Sequence, residues 1–211
     1  MFWDKAAYVY DIFAYIINRK ANRKLCEAVG AAVSSADDVL ECACGTGLLT
    51  GDIAEKCKSL VATDFSPNMI KKAEKKCRKY ANVEFKVGNI LHIEYPDESF
   101  DAVVAANVIH LLDDPYKALS EFDRVCRKGG KIIIPTYMNK NGKGKTSSFS
   151  DTLEKAGVDF KRAFTLDSYK KFFENAGYGD VSYILCHGRV PCAIAIIRKG
   201  MLKNSGTQEK K

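Results

Sequence analysis

The 211-residue sequence lacks an apolar run long enough to cross a bilayer. A span needs ~18–20 residues without charge, but Asp11 interrupts the early stretch Ala6–Ile17 and charges punctuate every later one. That first stretch also lacks a basic leader and a small-residue cleavage site, so a cytoplasmic chain is expected. Zinc-type C-x-x-C pairs are missing too: among eight cysteines only Cys42 and Cys44 lie close together. Disulfide frameworks belong to short secreted chains that cannot build a core, and this chain is long enough to build one, so buried free thiols are expected. With 46% hydrophobic and 28% charged residues, the composition excludes a disordered or collagenous chain.

The formal charge is +7. From Arg198 onward five basic residues oppose only Glu209, and Lys140, Lys143 and Lys145 lie in a Gly/Ser-rich stretch without acids. Basic ends attract phosphates non-specifically, but this tail lacks the interleaved aromatics of a single-strand binding surface. Nucleic-acid binding is therefore disfavoured.

One domain is expected over residues 1–200, with 201–211 as a basic tail. Val9, Ile12, Phe13, Ile16 and Ile17 follow a helical stripe, so residues 1–34 read as a helical cover that includes a second helix from Asn22 to Val33. Strand Val39–Cys42 then runs into the glycine-containing turn Ala43–Gly47. Helix Leu48–Lys58 and strand Leu60–Thr63 follow, and Ser66-Pro67 opens the next helix as N-cap and first-turn proline. On that helix Lys71, Lys72, Lys75, Lys76 and Lys79 lie opposite the apolar stripe and read as a solvated face. Further strands are expected at Val83–Val87, Phe100–Ala106 and Lys131–Pro135, with a helix at Pro115–Cys126 that stops at a Gly129-Gly130 turn. Residues 138–165 read as an insertion containing the flexible Asn139–Ser148 and a short helix at Phe149–Ala156. Helix Leu166–Ala176 and two strands, Val181–Cys186 and Val190–Ile197, close the chain as an antiparallel hairpin. Strand–helix alternation gives the fold class: α/β, Rossmann-like, a doubly wound and mostly parallel seven-stranded sheet with helices on both faces.

The stretch with the clearest chemistry is Glu41-Cys42-Ala43-Cys44-Gly45-Thr46-Gly47, followed by Asp64 at the end of the second strand. A glycine turn lets backbone approach a nucleoside, and an acid closing the next strand can accept both ribose hydroxyls. A dinucleotide turn requires a third glycine, where this chain has Thr50. Glu41 would repel a pyrophosphate yet attract an ammonium and a sulfonium, and that charge balance favours S-adenosylmethionine.

These residues resemble motif E/D-x-G-x-G-x-G of the class I S-adenosylmethionine-dependent methyltransferases, here E-x-A-x-G-x-G. The likeness continues through Asp64, Gly88-Asn89-Ile90, Asp101–His110 and Arg124–Ile134, and is nearest to the ubiquinone/menaquinone-methyltransferase-like subgroup through Tyr10-Asp11. It implies that Ala43, Cys44, Gly45 and Gly47 underlie the methionyl and ribose portions, with Glu41 near the ammonium and Asp64 on the ribose diol. Phe65, Met69 and Ile90 would line the adenine, and Asn89 would meet its amino group. Asn107 follows the fourth strand, where donor and acceptor meet in this family.

A sulfonium methyl is already activated, so the protein's task is alignment and exclusion of water, and no metal is required. A base matters when the acceptor loses a proton, as phenols, enols and thiols do; His110 is the first candidate and Tyr137 the second. Tyr8, Tyr10, Asp11 and Tyr15 on the N-terminal cover are candidates to line a small-molecule acceptor. The N-P-P-Y and D-P-P-Y motifs of amino-directed nucleic-acid enzymes are absent, and Pro191-Cys192 lies in the closing hairpin, away from where a cytosine-C5 nucleophile would sit. The rival readings are a non-catalytic S-adenosylmethionine-binding module with a protein partner, a nucleic-acid methyltransferase and a nicotinamide dehydrogenase. Oligomeric state is not encoded in any of these motifs.

Overall fold

A computed structural model describes residues 18–138, 160–188 and 190–200. The expected N-terminal stripe with Tyr8, Tyr10, Asp11 and Tyr15, the Asn139–Ser148 stretch, the Phe149–Ala156 helix and the 201–211 tail all lie outside the described residues. The elements are α1 (Arg19–Ala32), β1 (Asp38–Cys42), α2 (Thr50–Ala54), β2 (Ser59–Asp64), α3 (Pro67–Cys77), β3 (Val83–Val87), β4 (Phe100–Ala105), α4 (Pro115–Val125), β5 (Cys126–Tyr137), α5 (Leu166–Asn175), β6 (Val181–Cys186) and β7 (Cys192–Arg198).

The strands form one seven-stranded sheet in the order β3-β2-β1-β4-β5-β7-β6. The first five are parallel, and β7 joins β5 and β6 antiparallel. The reversal of strand order between β1 and β4 is the switch point at which open parallel sheets bind ligands, outside the strands' carboxyl ends. The central strands are apolar runs buried on both faces, as parallel strands under helices must be: Val39, Leu40 and Cys42 on β1 and Ala102 to Ala105 on β4 are all within 1% of full burial. At the edge, β3 alternates half-buried Val83 and Phe85 with exposed Glu84 and Lys86, a charged pair 3.0 Å apart that discourages further strand addition.

Two layers of side chains sandwich the sheet. One packs α1 and α2 through Leu25, Val29, Leu49 and Ile53; the other packs α4 and α5 through Phe122, Tyr169 and Phe173. The buried Tyr169 hydroxyl donates to the Ile134 carbonyl at 2.6 Å, which offsets the cost of desolvating it. At the amino ends of the strands, Asp101 accepts from the Asp38 amide at 2.9 Å and from Arg127 at 2.7 Å, tying β1, β4 and β5 together. Ser66 caps α3 by accepting from the Met69 amide, and Pro67 occupies the first turn, as the sequence indicates.

Two elements differ from expectation. The helix after the glycine turn is confined to the five residues of α2. Gly129-Gly130 is no turn between helix and strand; it lies within β5. There the pairing jumps from Phe100↔Cys126 to Ala102↔Lys131, Gly129 takes φ +78°, and Lys199 bonds the backbone of both glycines at 2.7 and 2.9 Å. The glycines make a bulge that stays paired because β7 continues alongside it. All eight cysteines are buried and free.

Candidate active site

The site begins where β1 ends. Ala43, Gly45 and Gly47 all take left-handed φ, at +53°, +57° and +78°, so alternate residues of the turn need a conformation that glycine adopts freely and alanine does not. Cys44 donates its amide to the Thr63 carbonyl at 2.9 Å, and Gly47 donates to the Cys44 carbonyl at 3.0 Å. A Cβ on Gly47 would meet the Cys77 sulfur at 3.2 Å, whereas the direction in which a Gly45 side chain would point is open. The turn is thus packed against α3 on one side and bare on the other.

Asp64 closes the turn from β2. One carboxylate oxygen accepts from the Gly45 amide and the other from the Ser66 amide, both at 2.9 Å. Burial raises its pKa even though both N–H bonds favour the charged form. Glu41 lies deeper, 2% exposed, and accepts from the Thr50 hydroxyl at 2.7 Å. Burial pushes its carboxyl up to about 8; Thr50 opposes that shift and the charge of Asp64 adds to it. Two acids near one another in a dry setting cannot both ionise cheaply without a cation between them. Thr50, which departs from the third glycine of a dinucleotide turn, is therefore the residue that holds Glu41. Its signal in the sequence is a hydroxyl nine residues after an acid that proves to be buried.

The rim beyond Asp64 is apolar and open: Phe65 is 60% and Val87 56% exposed at the ends of β2 and β3. Met69 is buried on α3, and Ile90 packs against the core beneath. Asn89 is exposed at the end of β3, where its side-chain oxygen accepts from the Leu91 amide at 2.9 Å. Its Nδ2 donors, more than its oxygen, remain for a ligand. Val87 was not among the expected residues; its place beside Phe65 follows from strand register alone.

After β4 the chain is less settled. Asn107 holds φ +52° while buried, its amide donates to the Pro135 carbonyl at 2.8 Å, and its side-chain Oδ1 has no hydrogen-bond partner among the described residues. Three residues on, His110 is 6% exposed and its Nδ1 is likewise unpartnered. The imidazole stacks on Phe160, centroids 5.4 Å apart. Its loop is clamped by Arg162, whose guanidinium donates to the Ile109 and Leu112 carbonyls at 2.9 and 2.8 Å. Burial, with a smaller contribution from the Arg162 charge, pushes His110 down to about 4, so the ring is neutral near pH 7. Phe160 and Arg162 carry no local motif, and nothing in the sequence pairs them with a histidine some fifty positions earlier. Tyr137, at the end of β5, donates its hydroxyl to Asn22 of α1 at 3.3 Å.

The chain matches a family described as a methyltransferase domain over residues 40–134. It is 31% identical over 139 residues to a demethylmenaquinone methyltransferase of Renibacterium salmoninarum, covering 64% of this chain and 56% of that protein. It is 32% identical over 150 residues to a ubiquinone/menaquinone biosynthesis C-methyltransferase of Bdellovibrio bacteriovorus, covering 66% and 61%. The chain thus spans less than two thirds of the length of these relatives. Among solved structures, a Thermotoga maritima S-adenosylmethionine-dependent methyltransferase, described as a possible histamine N-methyltransferase, superposes with a TM-score of 0.72 at 20% identity, covering 94% of this chain and 98% of that one.

Proposed function

From its likeness to a methyltransferase domain and to ubiquinone and menaquinone methyltransferases, we propose that this chain is a class I S-adenosylmethionine-dependent methyltransferase and that it methylates a small hydroxyarene of the quinol type. The observation that carries the proposal is the pair of buried, unpartnered acceptors, Asn107 Oδ1 and His110 Nδ1, on the loop after β4. Leaving a buried polar atom without a partner costs ~1–3 kcal/mol, and a protic acceptor supplies what these two atoms lack.

S-adenosylmethionine supplies an electrophilic methyl group when bound. The residues fit it. The bare side of Gly45 gives backbone access, Asp64 retains lone pairs for a ribose diol beyond those taken by Gly45 and Ser66, and Phe65 and Val87 offer apolar surface for an adenine. Glu41, neutral by itself, becomes anionic beneath a cationic ligand and neutralises it. The neutral imidazole of His110 takes the hydroxyl proton at Nδ1, while Phe160 and Arg162 hold the ring and its loop in place. Tyr137 and the N-terminal Tyr8, Tyr10, Asp11 and Tyr15 complete the acceptor side of this proposal. The chain acts without a metal in this reading.

The test is incubation with S-adenosylmethionine and reduced 1,4-naphthoquinone under anaerobic conditions. The expected result is S-adenosylhomocysteine together with naphthol product heavier by one methylene unit. Binding of S-adenosylhomocysteine without methylated product would overturn the acceptor class alone; no binding by folded protein would overturn the whole reading.

A further inference from the structure

The fold assembles a second, strongly basic site on the helix side of the turn after β1, with Gly47 and Leu48 in its lining. A cleft of about 370 Å³ opens between α1, α2 and the end of α3, and among its lining are Arg19 and Arg23 from one side and Lys76, Lys79 and Tyr80 from the other. These two walls lie about fifty residues apart in sequence. Helix α1 carries four basic residues against Glu27, and residues 67–79 carry six against Glu74, so the two helices together hold more positive charge than the whole chain's net +7. Lys76 and Lys79, at the end of the lysine face of α3, belong to one wall of this cleft, while Lys71, Lys72 and Lys75 lie outside it.

Arg19 has no hydrogen bond or ion pair among the described residues. Arg23 meets Glu27 at 3.3 Å only on the exposed surface, a pair worth little in water. Lys79 lies 4.6 Å from the Tyr80 ring centroid and 3.8 Å from Glu55. Tyr80 itself is fixed by its hydroxyl on Glu55 at 2.8 Å, and its ring lies against Gly51, where a Cβ would sit 3.0 Å from the hydroxyl. Lys76 is anchored on the Gly47 carbonyl at 2.7 Å, which fixes a positive charge at the floor. Asp52 is the acid in the lining, and burial shifts its carboxyl toward the neutral form. Two guanidinium forks and two ammonium groups around one cavity match a doubly charged oxyanion better than a single carboxylate. The volume falls in the range of small-ligand sites and exceeds what one inorganic phosphate fills.

We propose that the cleft between α1, α2 and α3 binds a phosphate monoester group, held by Arg19, Arg23, Lys76 and Lys79. The group reaches it either on a small soluble ester or on a lipid headgroup.

Calorimetric titration of the full chain with glycerol 3-phosphate, and sedimentation with phosphatidylcholine vesicles containing phosphatidic acid, separate the two sources. The expected result is saturable binding in one of these arms, weakened at least tenfold by combined Arg19→Ser and Lys79→Ser. A matched control, Lys71→Ser with Lys72→Ser, removes the same charge from α3 outside the cleft and is expected to change binding less than threefold. S-adenosylhomocysteine affinity is expected to be the same in all three proteins, so failure of the cofactor reading leaves this test intact. Binding in neither arm, or equal loss in the cleft and control variants, would overturn the proposal.

Discussion

The turn after β1 and the loop after β4 meet at the same edge of the sheet and are built to opposite rules. In the first, polar groups find partners within the protein: Gly45 and Ser66 on Asp64, Thr50 on Glu41, Cys44 on Thr63. In the second, Asn107 and His110 are buried yet leave an acceptor each without a partner among the described residues, and Asn107 holds a left-handed backbone besides. A knitted turn is preorganised to bind without rearrangement. A loop with unmet acceptors is stabilised by whatever donates to it, and strain with orphaned polar atoms collects where a protein acts on its ligand. Under the proposed function the contrast is a division of labour, the turn holding the methyl donor and the loop handling the acceptor's proton.

The sharpest way to break that division is at His110. Changing His110→Ala should lower kcat by ~10²–10⁴-fold, the usual contribution of a positioned base, while S-adenosylhomocysteine affinity by calorimetry stays unchanged. If affinity falls in step with turnover, the loop is part of the donor site and the division fails. Because burial holds the imidazole near 4, the acid limb of kcat/KM should lie far below the ordinary histidine range. A limb near pH 6.5 would mean that water reaches the ring.

Glu41 tests the turn from the side of stability. Its folded carboxyl titrates near 8 against an ordinary 4.5, so the folded chain keeps a proton that the unfolded chain releases. Stability is full below the unfolded value, declines as pH rises from about 4.5 to about 8, and is level above that. The total is of order a few kcal/mol. Glu41→Gln, which mimics the neutral acid, should flatten that slope in urea unfolding at several pH values. A slope that survives the change would assign the pH dependence to other groups.

Asp64→Ala comes next. Losing the acceptor for Gly45 and Ser66, together with any ribose contact, should weaken S-adenosylhomocysteine binding by ~1–3 kcal/mol. An unaltered affinity would place the nucleoside elsewhere.

Much of this arrangement is legible from sequence because it depends on local chemistry. The bounds of β3 and β6 coincide with their apolar runs, Ser66-Pro67 marks the start of α3, and Glu41, Gly45, Gly47 and Asp64 are joined in space as their spacing implies. What is not legible depends on tertiary burial. Glycines 129 and 130 look like a stop until a neighbouring strand is seen to hold them in the sheet. Asn107 and His110 stand out through the resemblance, but that each buries a polar atom with no partner among the described residues has no sequence signature. The lysine face of α3 is exposed as it reads, and only the fold shows that Lys76 and Lys79 share a cleft with α1. Periodicity reports which face of an element is apolar, and says nothing about which charges two distant elements will share.

The smallest expected effect separates strain that is used from strain that is only tolerated. Ala43 and Asn107 occupy nearly the same left-handed backbone, at φ +53° and +52°, and a left-handed L residue costs roughly 1–2 kcal/mol. Ala43 stands where the resemblance expects glycine and packs its methyl against the core, so Ala43→Gly should relieve the strain and stabilise the fold by up to roughly 0.5–1 kcal/mol, the gain being trimmed by that lost packing and by the extra freedom of glycine in the unfolded chain. Cofactor affinity should hold. Asn107→Gly relieves the same backbone and also removes the orphaned Oδ1, so it too should stabilise the free protein, but at the expense of turnover. Urea denaturation of both variants beside their kcat values checks the pair. Gains in stability of similar size, with turnover falling only in Asn107→Gly, are what the division of labour requires; equal turnover in both would reduce Asn107 to a strained turn residue with no part in the chemistry.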